Sequence, residues 1–318
     1  EIRRHLPHAA MVGYTRQCDR ALRAQAAEAG VVELLVAPFT TADLRRALIR
    51  AFEARRPEVL PNLLAFLPAK PGSGASVTAF NTAGALAAHF DKKVLVIDAD
   101  RHHGMLSAYA NVDPPHTLDE ALESSHELNN GVWAYRRVSV HGFDLLPMPR
   151  RYSTRVFPPW TYQRLIRFAC SHYDLVLADL GEAAGDDAAS FLRQAQTVYL
   201  VLTPEMPALT LARRRLETLH AAGLDDDRIA VLLNRHPPGT ALTPDVEQLL
   251  ERPVAAVLPD DPAGLREATV ACRPVHSDTP LGAAFLSLAG QLLGLPAFEM
   301  PQPVMAAGFL SRFRRRGR

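Results

Sequence analysis

The chain reads as α/β, with a mostly parallel sheet carrying helices on both faces, preceded by a smaller and partial α/β fragment. Two observations predict this. From Leu63 onward, apolar runs of strand length alternate with stretches of helical periodicity, the pattern of a parallel sheet covered by helices. Runs such as Val94 to Ile97 are apolar at every position, as strands buried on both faces must be. With 318 residues, 48% of them apolar, the chain is long enough for about two domains and a substantial core.

Taken in order, the first sixty residues read as strand (Ala10 to Tyr14), helix (Gln17 to Glu28), strand (Val31 to Val36) and helix (Thr41 to Ala54). Arg55-Arg56-Pro57 ends that helix, because the residue before a proline is pushed out of the α region, and Glu58 to Asn62 serves as a linker. The apolar run Leu63 to Leu67 then leads through Lys70-Pro71-Gly72-Ser73-Gly74-Ala75-Ser76 into a helix from Val77 to His89. Further strands are read at Val94 to Ile97, Asp174 to Asp179, Thr197 to Leu202 and Ile229 to Leu233. Helices at Pro207 to Ala221, Pro244 to Leu250 and Leu281 to Leu293 fill the gaps. Two proline-containing stretches, Val112 to His116 and Arg155 to Trp160, read as surface connections.

The formal charge is +1, so no global basic field argues for nucleic acid. Lysine is confined to Lys70, Lys92 and Lys93, which makes the lysine at the start of the glycine segment stand out from incidental surface charge. Cys18, Cys170 and Cys272 are isolated, with no metal spacing, which fits buried thiols in a reducing cytosol. No run of eighteen apolar residues appears, and the first residues lack a secretory pattern, so neither export nor membrane spanning is expected.

Strand, glycine loop and helix in that order form a phosphate-binding arrangement. The glycines let backbone N–H groups close around phosphate oxygens, and the helix offers its positive end to the same anion. Ser76 stands where a Mg²⁺-coordinating hydroxyl belongs, whereas Ala75 occupies the place of the usual lysine and cannot reach a phosphate. Lys70, at the loop's start, can. The strand ending Ile97-Asp98-Ala99-Asp100 delivers two carboxylates at the end of the sheet where ligands bind, with alternation pointing them the same way. Asp179 ends a second apolar strand and suits a small hard cation that keeps most of its waters. Asn234-Arg235 ends a third, where an amide can read an adenine edge. Each feature alone is also met as a helix cap or turn; it is their order that carries weight. His102 and His103 lack any completing metal-ligand spacing and read as a polar loop, and Arg213-Arg214-Arg215 reads as a solvated helix face.

These motifs resemble the deviant Walker A superfamily of MinD and ParA, most closely its CpaE/TadZ branch, whose loops keep the early lysine and lack the second. The match runs from Leu63 to about Leu295, anchored at Val94 to Asp100, Tyr173 to Leu180, Val201 to Glu205, Val231 to Arg235 and Leu258 to Asp261. Upstream, Ala29-Gly30-Val31 and Ala37-Pro38-Phe39-Thr40 resemble the closing half of a response-regulator receiver, with Thr15 at its switch hydroxyl and Ala37 replacing its lysine. The strand bearing a phosphorylated aspartate would lie before Glu1, so on this reading the chain starts inside a degenerate receiver. A small βαβα piece packed on the main domain is the alternative. The resemblance implies a flavodoxin-like receiver fragment over 1–57, a P-loop NTPase-like ATP-binding domain over 58–296 and a tail over 297–318.

Carried over residue by residue, the resemblance makes Lys70 the signature lysine that crosses an ATP-sandwiched homodimer, with Asp100 positioning the attacking water. It assigns nucleotide binding to Lys70, Pro71, Gly72, Ser73, Gly74, Ala75, Ser76, Val77, Asn234 and Arg235, and Mg²⁺ to Ser76, Asp98 and Asp179. Pro71 replaces a usual glycine and removes a backbone donor, and Val77 replaces a usual threonine. Losing one cation slows phosphoryl transfer more than it abolishes binding, so ATP binding with slow or absent hydrolysis is expected.

In the tail, Met305, Phe309 and Phe313 fall four apart with Leu310 beside them, among Arg312, Arg314, Arg315, Arg316 and Arg318. A basic amphipathic helix of this kind lies in the interface of an anionic membrane, and the segment resembles the C-terminal targeting helix of MinD. A disordered arginine-rich tail is the alternative. The leading expectation is a cytoplasmic, dimerising ATP-binding protein, peripheral on the inner membrane face at a cell pole, that positions pilus or secretion machinery as CpaE and TadZ proteins do. The alternatives are an active ParA-like ATPase moving DNA or cargo, and a nucleotide-free scaffold.

Overall fold

The computed structural model describes residues 10–53, 58–101, 103–148, 154–182, 186–240 and 242–295. The first four elements are β1 (Met11–Thr15), α1 (Arg20–Glu28), β2 (Val31–Val36) and α2 (Thr41–Glu53), and β1 and β2 make a parallel two-stranded sheet of their own. Asp19 caps α1 by accepting from Leu22 N at 2.7 Å, which starts the helix at Arg20 rather than at Gln17. Thr15 Oγ1 donates to the Gln17 carbonyl at 2.7 Å. Leu35, Ala47 and Ala51 are buried here, while Tyr14, Val32 and Leu48 remain exposed.

The larger body continues with β3 (Leu60–Pro68), α3 (Ala75–Phe90), β4 (Val94–Asp98), α4 (Leu106–Tyr109), α5 (Leu118–Glu123), α6 (Asn130–Arg136), β5 (Val138–Val140) and β6 (Phe143–Leu146). It is completed by α7 (Pro159–Cys170), β7 (Leu175–Asp179), α8 (Asp186–Gln194), β8 (Ala195–Leu202), α9 (Met206–Ala221), β9 (Ile229–His236), α10 (Leu242–Leu250), β10 (Val254–Pro259), α11 (Pro262–Val270) and α12 (Pro280–Leu292). The eight strands run in the order β10-β9-β8-β3-β7-β4-β6-β5. Every pairing is parallel except β5 with β6, which close an antiparallel hairpin through His141 and Gly142, both at positive φ.

The period of two along each strand divides the core into two layers. Leu63, Ala65 and Leu67 of β3, with Leu95 and Ile97 of β4, pack against α5, α7, α8 and α9. Leu64 and Phe66, with Val94 and Val96, face α3 and α12. Each fully buried Leu or Phe contributes roughly 1.5–3 kcal/mol, so α3 is held by packing rather than by propensity. At Gly84 of α3 an added Cβ would lie 2.6 Å from Pro274 Cγ, so the ring of Pro274 fills the space that a side chain there would need.

One expectation for a connection fails. Pro159 and Trp160 do not belong to a surface loop but open α7, because a proline in the first turn lacks only an N–H that has no helical partner anyway. Trp160 then meets Phe52 of α2 edge-on, ring centroids 6.3 Å apart, joining the small sheet to the large one. The three cysteines are free thiols, and burial pushes Cys170 up to about 12. Among the described residues no helix is long and apolar enough to cross a membrane. The tail residues Phe309, Leu310, Arg312, Phe313, Arg314, Arg315 and Arg316 lie outside the described residues.

Candidate functional site

The site sits at the carboxyl ends of β3, β4, β7, β8 and β9, where the loop after β3 turns into α3. Two glycines shape that loop, Gly72 at φ 77° and Gly74 at φ 96°, in the left-handed region that other residues enter at a cost. The loop also closes on itself. Ser73 N donates to the Lys70 carbonyl at 3.2 Å, and Lys70 N donates to Ser73 Oγ at 3.3 Å. Thr78 anchors the helix start by donating from both N and Oγ1 to the Gly74 carbonyl, at 2.9 and 2.8 Å. The N–H groups of the first turn have no partners within the helix and give this end its positive character. Ala75 is buried at 4% exposure in the apolar layer with Phe66 and Ala79, so the usual lysine's position belongs to the core.

Asn234, at the end of β9, is buried and binds the loop directly. Its Nδ2 donates to the Ser73 carbonyl at 2.8 Å, and its Oδ1 accepts from Arg235 N at 2.9 Å. A Cβ at Gly74 would collide with that Nδ2, which explains the glycine there. The Asn234 amide thus works on the loop backbone. Both ends of the amide are engaged. Arg235 follows with φ 53° and an exposed side chain.

The carboxylates are brought together by register, because Asp98 of β4 pairs with Asp179 of β7, which also pairs with Phe66 of β3. Both are 1% exposed. Asp98 Oδ2 accepts from Leu106 N at 3.2 Å, and Ser76 hydrogen-bonds to Asp179, yet Asp98 Oδ1 and Asp179 Oδ2 have no hydrogen-bond partner. Burial drives both carboxyls up from their ordinary range, Asp98 strongly and Asp179 to about 7. For Asp98 the nearby Asp179 adds to the rise, and the Ser76 hydrogen bond pulls Asp179 back down. Two buried orphan oxygens beside a serine hydroxyl fit a hydrated divalent cation, which would satisfy them and remove the cost of their charge. Among the described residues no group of three or more His, Cys, Asp and Glu is arranged to hold a metal ion, so any such cation would rest on few protein oxygens and on water.

Asp100 lies just past β4 and accepts from His103 N at 2.9 Å. Its carboxylate covers Gly181, where a Cβ would collide with it, and Gly104 likewise leaves room for Asp98. The two acidic segments therefore fold over one another at the site's rim. Sequence reasoning left Arg101, Glu205 and Tyr109 out of the site. Arg101 Nη1 pairs with Asp187 of α8 at 2.9 Å and Nη2 with Asp119 of α5 at 3.3 Å, tying the Asp100 segment to the helix that follows Asp179. Glu205, the N-cap residue of α9, takes the Lys70 ammonium at 2.9 Å on Oε1, and that hydrogen bond holds its carboxyl below the usual range. Tyr109 is raised first by burial and then by the charge of Asp179, and is lowered by Arg235. The signal for Glu205 was present in Thr203-Pro204-Glu205, a strand end followed by a helix start.

Pro71 contributes no donor to the loop, and Val77 turns toward the apolar cluster of Leu258, Leu281 and Phe285. Lys70, Ser73, Gly74, Ser76, Asp179, Asn234 and Arg235 thus meet around one concave loop, with Asp98 and Asp100 behind it.

No family model matches the chain. It is 26% identical over 259 residues to an uncharacterised ATP-binding protein of Methanocaldococcus jannaschii, covering 79% of this chain and 94% of the relative. Among solved structures, a ParA family ATPase from Chlorobium tepidum superposes with a TM-score of 0.67 at 24% identity, covering 72% of this chain and 98% of the other. The septum site-determining protein MinD of Pyrococcus horikoshii, complexed with Mg-ADP, gives a TM-score of 0.61 at 22% identity, covering 75% and 99%. Sequence relatives and shared fold together support the chain's place in the MinD/ParA superfamily of P-loop ATPases.

Proposed function

We propose that the chain binds ATP with Mg²⁺, dimerises in the ATP-bound state and acts in positioning an assembly, in the manner of the CpaE/TadZ branch, with slow or absent hydrolysis. The observation that carries this reading is the pair of orphan oxygens on Asp98 and Asp179 beside Ser76, at the mouth of a glycine loop whose lysine position is the buried Ala75. Ser76, Asp98 and Asp179 would hold the cation, and Gly72, Ser73 and Gly74 with the α3 terminus would hold the phosphates. When bound, the cation supplies positive charge to the phosphate oxygens. Asp100 stands where it can orient a water, and the missing lysine leaves phosphoryl transfer with less electrostatic help. In this reading the dimer interface forms when Lys70 leaves Glu205 for the partner's nucleotide, and the receiver-like fragment and the arginine-rich tail supply contacts to machinery and to an anionic membrane.

The test is calorimetric titration of ATP with and without Mg²⁺, followed by sedimentation of the loaded protein. Saturable, Mg²⁺-dependent binding, a dimer that Lys70→Ala weakens and little phosphate release are the expected results. Strong turnover stimulated by DNA or a partner would favour a ParA-like motor instead. A scaffold that binds no nucleotide is favoured by Pro71 and by the Lys70–Glu205 pair; absence of ATP binding at millimolar nucleotide, with dimerisation intact, would select it.

A further inference from the structure

A phosphate loop without its lysine needs positive charge from elsewhere, and the described residues offer two cations at the loop. Lys70 is one, but its ammonium is already 2.9 Å from Glu205 Oε1, so it must give up an ion pair before it meets a phosphate. Arg235 is the other. Its backbone is tied to the phosphate loop by one buried side chain, since Asn234 accepts from Arg235 N at 2.9 Å and donates to the Ser73 carbonyl at 2.8 Å. The residue lies in the left-handed region at φ 53°, a conformation costly for arginine, with its N–H on that amide. Its side chain is exposed, and its charge is felt at the Glu205 carboxylate and at the Tyr109 hydroxyl.

We propose that Arg235 is the phosphate-binding cation of this site, supplying to the phosphate tail of a bound nucleoside triphosphate the charge that Ala75 cannot. This rests on the ATP-binding reading above. A guanidinium is always charged and presents parallel donors that match two phosphate oxygens, so it replaces an ammonium without needing the same point of origin on the loop. The arrangement also divides the labour of the two cations. Arg235 meets the chain's own nucleotide, while Lys70 is left to exchange Glu205 for the nucleotide of a second copy.

The experiment measures binding of Mg-ATP, ADP, AMP and adenosine to wild type, Arg235→Ala, Arg235→Gly and Arg235→Lys. The glycine variant removes the charge at a φ that glycine adopts freely, so it keeps the test valid if the alanine variant folds poorly. Loss of a charge-assisted contact predicts that ATP affinity falls about tenfold or more in the alanine and glycine variants. ADP should lose less and adenosine nothing, with partial recovery in Arg235→Lys. Unchanged ATP affinity in both neutral variants overturns the inference while leaving the nucleotide site standing. An equal loss for ATP and adenosine overturns it too, by moving Arg235 to the base. If wild type binds no ATP, the functional reading itself fails and this inference goes with it.

Discussion

On one side of the phosphate loop stand Asp98 and Asp179, fully enclosed, aligned by strand register and short of hydrogen-bond partners. On the other stand Lys70 and Arg235, solvent-reaching, carried on loop ends, the first already paired with Glu205. The carboxylate wall is costly without a cation and is held rigid by the central sheet. The cation wall keeps its charges nearer to solvent, one on a strained backbone at Arg235 and one in an ion pair at Lys70. On the reading proposed above, this contrast teaches that a cation site can stay built into the core while the phosphate contacts are loosened at the surface, because core geometry cannot be altered piecemeal.

The largest expected effect breaks the frame shared by both walls. Gly74→Ala forces a side chain into φ 96° and against Asn234 Nδ2, and should cost about 2–3 kcal/mol in urea denaturation. A midpoint equal to wild type would show that the loop relaxes freely. Next, Asn234→Ala leaves the Ser73 carbonyl and Arg235 N without their shared partner, for about 1–3 kcal/mol by the same measurement.

The third prediction separates the walls by pH. Because the folded pKa of Asp179 is raised to about 7, the metal-free protein carries its full contribution at low pH and loses stability as pH rises from the ordinary carboxylate range through about 7. Thermal melts in chelator across that window should show the decline, and Asp179→Asn should reduce it to the share carried by Asp98. Saturating Mg²⁺ should stabilise wild type above pH 7 and leave the asparagine variant unmoved, since a ligand stabilises only the state that binds it. A Mg²⁺ shift that survives in Asp179→Asn would remove that carboxylate from the cation site. The smallest effect belongs to the exposed wall. Lys70→Ala should change stability by less than about 1 kcal/mol, as exposed ion pairs do, while the Glu205 carboxyl, followed by NMR, moves back up toward its usual range.

What the sequence made legible follows the same division. β3, β4, β7, β8 and β9 were readable because strands buried on both faces are apolar at nearly every position. The hairpin of β5 and β6 and the edge strand β10 were not; the former's two strands hold only seven residues together and the latter is half-exposed or exposed everywhere but at Leu258. α7 was hidden by Pro158 and Pro159, which mark a loop or a helix start equally well from sequence alone. In the site, residues that act through backbone position, such as the loop glycines and the strand-end aspartates, were visible in their spacing. Tyr109 was not, and Glu205 showed only as a strand end followed by a helix start, because what brings Glu205 to Lys70 is the pairing of β8 beside β3, a non-local fact. Asn234 was found at its strand end, and its contact with the Ser73 carbonyl, set by the approach of β9 to the loop, was not legible.

The strand order places three strands on one side of β3 and four on the other. Amides of β3 are therefore expected to exchange with solvent only when the whole sheet opens, while β5 and β10 exchange through local fraying. The strand that feeds the phosphate loop is thus insulated from motion at either margin, so partners that pull on the edges or on the N-terminal fragment can do so without disturbing the floor of the site.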